Sequence, residues 1–255
     1  MNPDLFNEQV TIVTGAGQGI GFEIGRQLAL AGAAVVLNDI DAKLTASAVN
    51  KIRKERGNCT GITGDASEIA FIDEMVQHAV NKFGKLTIAV ANAGITLFAD
   101  FFEYSPESFK KVMQLNLGGS FFLAQAAARR MKEQKGGGSI LFMSSVVGHQ
   151  AHKNLAAYAI TKAGLEMLAK NLVIELSPYK ITVNAITPGA TLTERTMHDA
   201  DYEKTWSRIT PIGKPATTMD IAHAALFLVS PDAKHITGQS LIIDGGWTSV
   251  SPSPY

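Results

Sequence analysis

The chain has 255 residues, of which 46% are hydrophobic and 18% charged, enough apolar side chain for a sizeable buried core and too much for disorder. Lys and Arg number 23, as do Asp and Glu, so the formal charge is zero and the basic excess demanded by nucleic acid or an anionic membrane is missing. The single cysteine, Cys59, excludes an internal disulfide framework and a cysteine-built zinc site.

The opening MNPDLFNEQV has neither a basic stretch nor an apolar run of signal-peptide type. No run of about 18 apolar residues suggests a membrane span, so the expected location is cytoplasmic.

Along the chain, short apolar runs alternate with amphipathic segments. Residues 9–14 (QVTIVT) read as a buried strand ending in a glycine cluster, and 19–32 place Ile20, Ile24, Leu28 and Ala31 at helical spacing. A strand over 34–38, a helix over 41–56 with a charged outer face and a weaker strand over 59–63 follow. Residues 67–83 form a helix with Ser67 as its N-cap and Ile69, Ile72, Val76, Ala79, Val80 and Phe83 turned inward. A fourth strand over 86–91 precedes one long helix over 106–134, broken by Gly136.

The fifth strand is 139–143. A helix over 157–176 is stopped by Pro178, and a sixth strand over 181–186 by Pro188. Residues 190–217 are irregular and read as a lid; a helix over 218–229 and a strand over 240–243 follow, with a short tail at 250–255. Strands apolar on both faces, alternating with helices, predict one α/β domain spanning 1–255. Its centre is a Rossmann-type, doubly wound parallel sheet of about seven strands with helices on both faces.

Where the first strand meets the first helix, glycines stand at 15, 17, 19 and 21, spaced T-G-x-x-x-G-x-G from Thr14. Side-chain-free positions there let a pyrophosphate approach the backbone, and the helix N-terminus offers unpaired N–H groups. Asp39, at the end of the second strand, is placed to accept hydrogen bonds from an adenosine ribose and to repel a 2′-phosphate. No Arg or Lys lies in the turn or directly after Asp39, so NAD(H) is favoured over NADP(H). The alternative for Asp39 is a cap for the following helix.

Tyr158 and Lys162 are four apart on one face of a predicted helix. A free phenol is too weak an acid for efficient proton transfer at neutral pH, and a neighbouring cation favours its phenolate. The spacing alone is common on helix surfaces, and its context gives it meaning.

Together these motifs resemble the short-chain dehydrogenase/reductase family, in its single-domain branch, over residues 9–247. The resemblance implies a catalytic unit of Asn116, Ser145, Tyr158 and Lys162. Ser145 is preferred to Ser144 because it stands thirteen residues before Tyr158. It also implies cofactor contacts from Gly15, Gln18, Gly19, Ile20, Asp39, Ile40, Asp65, Ala66, Asn92, Ala93, Gly94, Tyr158, Lys162, Pro188, Gly189, Thr191 and Thr193. Thr191 departs from the family's usual Ile or Val. Asp244-Gly245-Gly246 matches the family's C-terminal signature.

The activity implied is hydride transfer between nicotinamide and an alcohol or carbonyl, without a metal, in a homo-oligomer, by family habit a tetramer built on the two long helices and the last strand. Thr96, Ser145, His149, Gln150, Asn154 and Trp206 are candidate substrate contacts, a mixture suited to a sugar, polyol or other small secondary alcohol. A 3-oxoacyl thioester or a steroid is the alternative within the family. A non-catalytic dinucleotide sensor would have no use for Ser145, Tyr158 and Lys162 together. A sugar-nucleotide epimerase could share the Tyr–Lys pair, but would normally need a longer C-terminal substrate domain and a different glycine spacing.

Overall fold

Strand β1 (Val10–Val13) is buried along its whole length, and its neighbours share that character. It lies between β2 (Ala34–Asp39) and β4 (Ile88–Ala91), and β2 pairs outward with β3 (Cys59–Thr63). On the other side, β4 leads to β5 (Gly138–Met143), β6 (Ile181–Pro188) and β9 (Ser240–Ile243). All pairings are parallel, and the order β3-β2-β1-β4-β5-β6-β9 is that of a doubly wound sheet. The structure, a computed structural model, describes residues 4–250; the expected tail at 250–255 lies outside it beyond Val250.

Helices cover both faces. On one, α1 (Gly19–Leu30) and α8 (Thr218–Val229) seal Val13, Val35, Leu37, Val90 and Leu141 beneath Ile24, Leu28, Ile221 and Leu226. On the other, α3 (Ile69–Phe83), α5 (Ser120–Gln134) and α6 (Ala156–Leu176) bury Ile12, Val36, Ala89, Ile140 and Val183. Helix α2 (Ala42–Lys54) starts at Asp41, whose carboxylate accepts from the Lys43 and Leu44 amides. The cap is therefore Asp41, not Asp39. Among the described residues no helix is long and apolar enough to cross a membrane.

Four expectations need correction. Ile69, expected to turn inward, is 51% exposed at the first residue of α3. Ser67 does not cap α3: the N-cap is Glu68, and the Ser67 amide instead donates to Asp65 Oδ1 at 2.8 Å. The long helix expected over 106–134 is α4 (Pro106–Val112), a π-helical stretch at Met113–Gly119 and then α5. Pro188 does not sit beyond β6 but closes it, paired with Ile243.

The segment expected as irregular has order of its own. Short strands β7 (Thr191–Leu192) and β8 (Ala216–Thr217) pair in parallel and pin its two ends together. Between them runs α7 (Tyr202–Ile209), docked by aromatic side chains: Trp206 packs edge-on against Trp247 at 5.3 Å and beside Tyr202 at 6.0 Å.

Candidate active site

The strand order reverses direction between β1 and β4, and there the C-terminal ends of the strands open into a cleft of about 690 Å³. Gly15, Gln18, Gly19 and Ile20 line it at one end with Asp39, Ile40, Asp65 and Ala66. Asn92, Ala93, Gly94, Thr96, Tyr158, Lys162 and Thr193 line the remainder, with Glu194 and Arg195 at the rim.

The glycine turn is shaped by close approach. A Cβ on Gly17 would stand 2.7 Å from both Asp39 Oδ2 and Leu44 Cβ, so a side chain there would push the turn off β2. The Gly17 amide donates to Asp39 Oδ2 at 3.0 Å, and the Asp41 amide to Oδ1 at 3.1 Å, fixing the carboxylate at the cleft. Asn92 braces the turn from β4, its Nδ2 donating to the Thr14 and Gly15 carbonyls at 2.8 and 3.0 Å. At the head of α1, Gln18 makes no side-chain cap, and no acidic residue lies in the first turn. The free amides there suit an anion such as a pyrophosphate.

The second half of the site is carried by β5 and α6. Lys162 is buried, and its Nζ donates to the Met143 carbonyl at 2.6 Å and lies 5.3 Å from the Tyr158 ring centroid. A Cβ on Gly94 would lie 3.7 Å from that Nζ and 3.2 Å from Asn116 Oδ1, so the bare backbone of Gly94 lets lysine and asparagine approach. Asn116 is fully buried within the π-helical turn and holds Ile95 by both main-chain groups, accepting from its amide at 2.8 Å and donating to its carbonyl at 2.9 Å. π-helical turns recur at functional sites because the extra residue re-aims one side chain.

The two serines differ. Ser144 Oγ is buried and donates to the Lys162 carbonyl and to Glu166 Oε1, at 3.0 and 2.6 Å. Ser145 is partly exposed, and neither its hydroxyl nor that of Tyr158 has a hydrogen-bond partner among the described residues. Ser145 itself is not among the residues that line the cleft.

Not every expected residue reaches the cleft wall. Pro188, Gly189 and Thr191 lie beside it, with Gly189 packed against Asp244. The Thr191 amide donates to the Tyr202 hydroxyl at 3.2 Å. Burial pushes the Tyr202 phenol up, a rise that the Thr191 amide partly offsets. Asp244 sits at the end of β9; burial works against its charge, but donors from Thr248 and Gly246 hold its carboxyl below the usual range.

Of the substrate candidates, Thr96 lines the cleft. Gln150 and Asn154 stand outside its lining, and Trp206 is spent on the Trp247 contact. His149 is exposed, its side chain 36% accessible, with its Nε2 2.8 Å from Glu166 Oε2. Glu166 escaped the sequence reading altogether. Its place one helical turn beyond Lys162 was the available signal, but a glutamate at that spacing is ordinary without its partners.

Fold and cleft are those of a nucleotide-binding α/β enzyme, with Tyr158 and Lys162 side by side on α6. The family described as "Enoyl-(Acyl carrier protein) reductase" matches residues 15–248. The chain is 36% identical to an L-rhamnose-1-dehydrogenase of Scheffersomyces stipitis, covering 95% of this chain and 96% of that protein. It is 37% identical to an L-rhamnose 1-dehydrogenase (NAD(P)(+)) of Azotobacter vinelandii, over 95% and 97%. A 7α-hydroxysteroid dehydrogenase solved with NADH and 7-oxo glycochenodeoxycholic acid superposes with a TM-score of 0.91 at 34% identity, over 96% of each chain. The chain belongs to the short-chain dehydrogenase/reductase family and is an oxidoreductase of the CH–OH/C=O type.

Proposed function

We propose that the protein interconverts a sugar or polyol and the corresponding carbonyl compound, using NAD(H) in preference to NADP(H). The observation that carries the chemistry is the unpartnered Tyr158 hydroxyl on the cleft wall, with Lys162 Nζ held against its ring. In oxidation Tyr158 takes the proton of the substrate hydroxyl; in reduction it returns one. Ser145 hydrogen-bonds the same oxygen and steadies the charge that develops there. Lys162 sets its amino group beside the phenol, and Asn116, facing it across Gly94, belongs to the proton path toward solvent. A bound nicotinamide supplies the hydride acceptor or donor that no side chain offers.

The residues that would hold the dinucleotide divide along the cleft. Gly15, Gln18, Gly19 and Ile20 suit the pyrophosphate, Asp39 and Ile40 the adenosine ribose, and Asp65 and Ala66 the adenine. Asn92, Ala93, Gly94, Tyr158, Lys162 and Thr193 would meet the nicotinamide half, with Pro188, Gly189 and Thr191 standing outside the cleft lining. The Asp39 carboxylate, followed by Ile40 rather than a basic residue, supports NAD.

The two L-rhamnose dehydrogenases, and the polar Thr96 in the cleft lining, support a sugar-type substrate. Residues 190–217 would act as its lid, within one domain, and the assembly as a homotetramer.

The test is a panel of aldoses, polyols, secondary alcohols, hydroxysteroids and 3-oxoacyl esters with each nicotinamide cofactor, read by nicotinamide absorbance. Turnover of aldoses or polyols with NAD is the expected result. Turnover confined to steroids or acyl esters would overturn the substrate class, and NADH binding with no turnover on the whole panel would favour a sensor.

A further inference from the structure

A second polar cluster lies just behind the site, built around a carboxylate that the proposed chemistry does not use. Glu166 is mostly buried on α6, and it shares a helix face with Lys162 and Tyr158, one and two turns back. A buried carboxylate is costly unless donors converge on it. Three do: Ser144 Oγ at 2.6 Å and Thr187 Oγ1 at 3.4 Å on Oε1, and His149 Nε2 at 2.8 Å on Oε2.

Ser144 and His149 bracket the stretch that holds Ser145. The residues between them make a tight turn, with the Gly148 amide donating to the Ser145 carbonyl at 2.8 Å and the His149 amide to the Val146 carbonyl at 3.0 Å. Gly148 meets α6 directly: a Cβ there would stand 2.9 Å from Glu166 Oε1 and 3.0 Å from the Ala163 amide nitrogen. The turn is thus tied at both ends, and pressed at its middle, onto the helix that carries Tyr158.

We propose that Glu166 is a positioning residue, clamping Ser144 and His149 so that Ser145 is held in fixed register with Tyr158. On this assignment His149 is a structural anchor of the loop rather than a substrate contact. The assignment rests on the oxidoreductase reading for its catalytic consequence but not for the clamp itself. Two readouts therefore separate them: hydrogen exchange over residues 144–152, and steady-state kinetics with NAD and the best aldose from the panel.

In Glu166→Leu and in Gly148→Ala, the 144–152 amides should exchange faster while those of the glycine turn do not change. The value of kcat should fall roughly tenfold to a hundredfold, as a small misplacement near the chemistry costs, with NADH affinity unmoved. Glu166→Gln keeps an acceptor for Ser144 and can meet a neutral imidazole, so it should recover most of kcat. Gly148→Ala leaves every polar group in place, and carries the test if Glu166→Leu does not fold.

Unchanged exchange over 144–152 in the variants that fold would overturn the proposal. So would a loss that falls on NADH affinity instead of kcat, or a Glu166→Gln variant as impaired as Glu166→Leu. A wild-type protein inert to every alcohol would count against the oxidoreductase reading alone, and the exchange measurement would still decide the clamp.

Discussion

At the cleft wall the phenol of Tyr158 has no hydrogen-bond partner among the described residues, while the ammonium that faces its ring is anchored to the Met143 carbonyl. Removing the hydroxyl leaves the packing and the lysine in place. Tyr158→Phe should therefore lower kcat by at least about a hundredfold, the usual weight of a positioned acid–base group. A fluorescence titration should give an unchanged NADH dissociation constant.

Asp39 bears on cofactor choice in the same local way, since both its oxygens already accept main-chain amides at the edge of the cleft. Asp39→Arg should shift the NAD-to-NADP ratio of kcat/KM by at least about tenfold toward NADP, equivalent to about 1.4 kcal/mol. Asp39→Asn, which keeps an acceptor, should shift it less; equal ratios in all three proteins would reject the assignment. The preference for Ser145 over Ser144 comes only from the family's usual separation from Tyr158. The Glu166 cluster was not legible in the sequence, because its members come from three elements far apart in sequence.

Among the elements, those with strong periodicity and clear punctuation were read closely: α8 and β9 have the bounds the sequence suggests. The π-helical turn was invisible because its seven residues, MQLNLGG, continue the helical pattern on either side. What distinguishes it is the pull of Asn116 on Ile95, a tertiary contact. The 190–217 segment was read as irregular because its paired strands have two residues each, too few for alternation to register.

Helix α8 offers an energetic test at this scale, through a reciprocal cap. The Thr217 hydroxyl accepts from the Asp220 amide, and the Asp220 carboxylate accepts from the Thr217 amide. Thr217→Ala should cost about 1 kcal/mol in urea unfolding. The Thr217 amide and hydroxyl hold the Asp220 carboxyl below its ordinary value, against a smaller opposing effect of burial. The unfolded chain therefore binds the proton more readily than the native one. Stability from this carboxylate is present above the ordinary Asp value of about 4 and is lost as pH falls through the native value. Between about pH 6 and about pH 3, the urea midpoint of Asp220→Asn should fall less than that of wild type.

For the whole molecule, the alternation of strand and helix was enough to predict a parallel sheet covered on both faces. The order of its strands was not readable, since nothing local places β4 beside β1 rather than beside β3; the cleft at that reversal is a product of topology. The same topology leaves β9 at an edge of the sheet, with Leu241 and Ile242 partly exposed, and an open edge of this kind invites a partner. Helix α6 adds Ile160, Met167 and Ile174, the last 81% exposed, and α5 adds Phe121. Apolar side chains so placed suit faces covered by further copies of the chain, as the expected tetramer on these helices and this strand requires. Sedimentation velocity should then give a particle near four times the 27.2 kDa chain mass. Ile174→Asp should drive it toward smaller species, because a carboxylate has no partner in an apolar interface. A wild-type protein that sediments as the single chain at every concentration would remove the tetramer, and would leave these side chains facing water without an assembly to account for them.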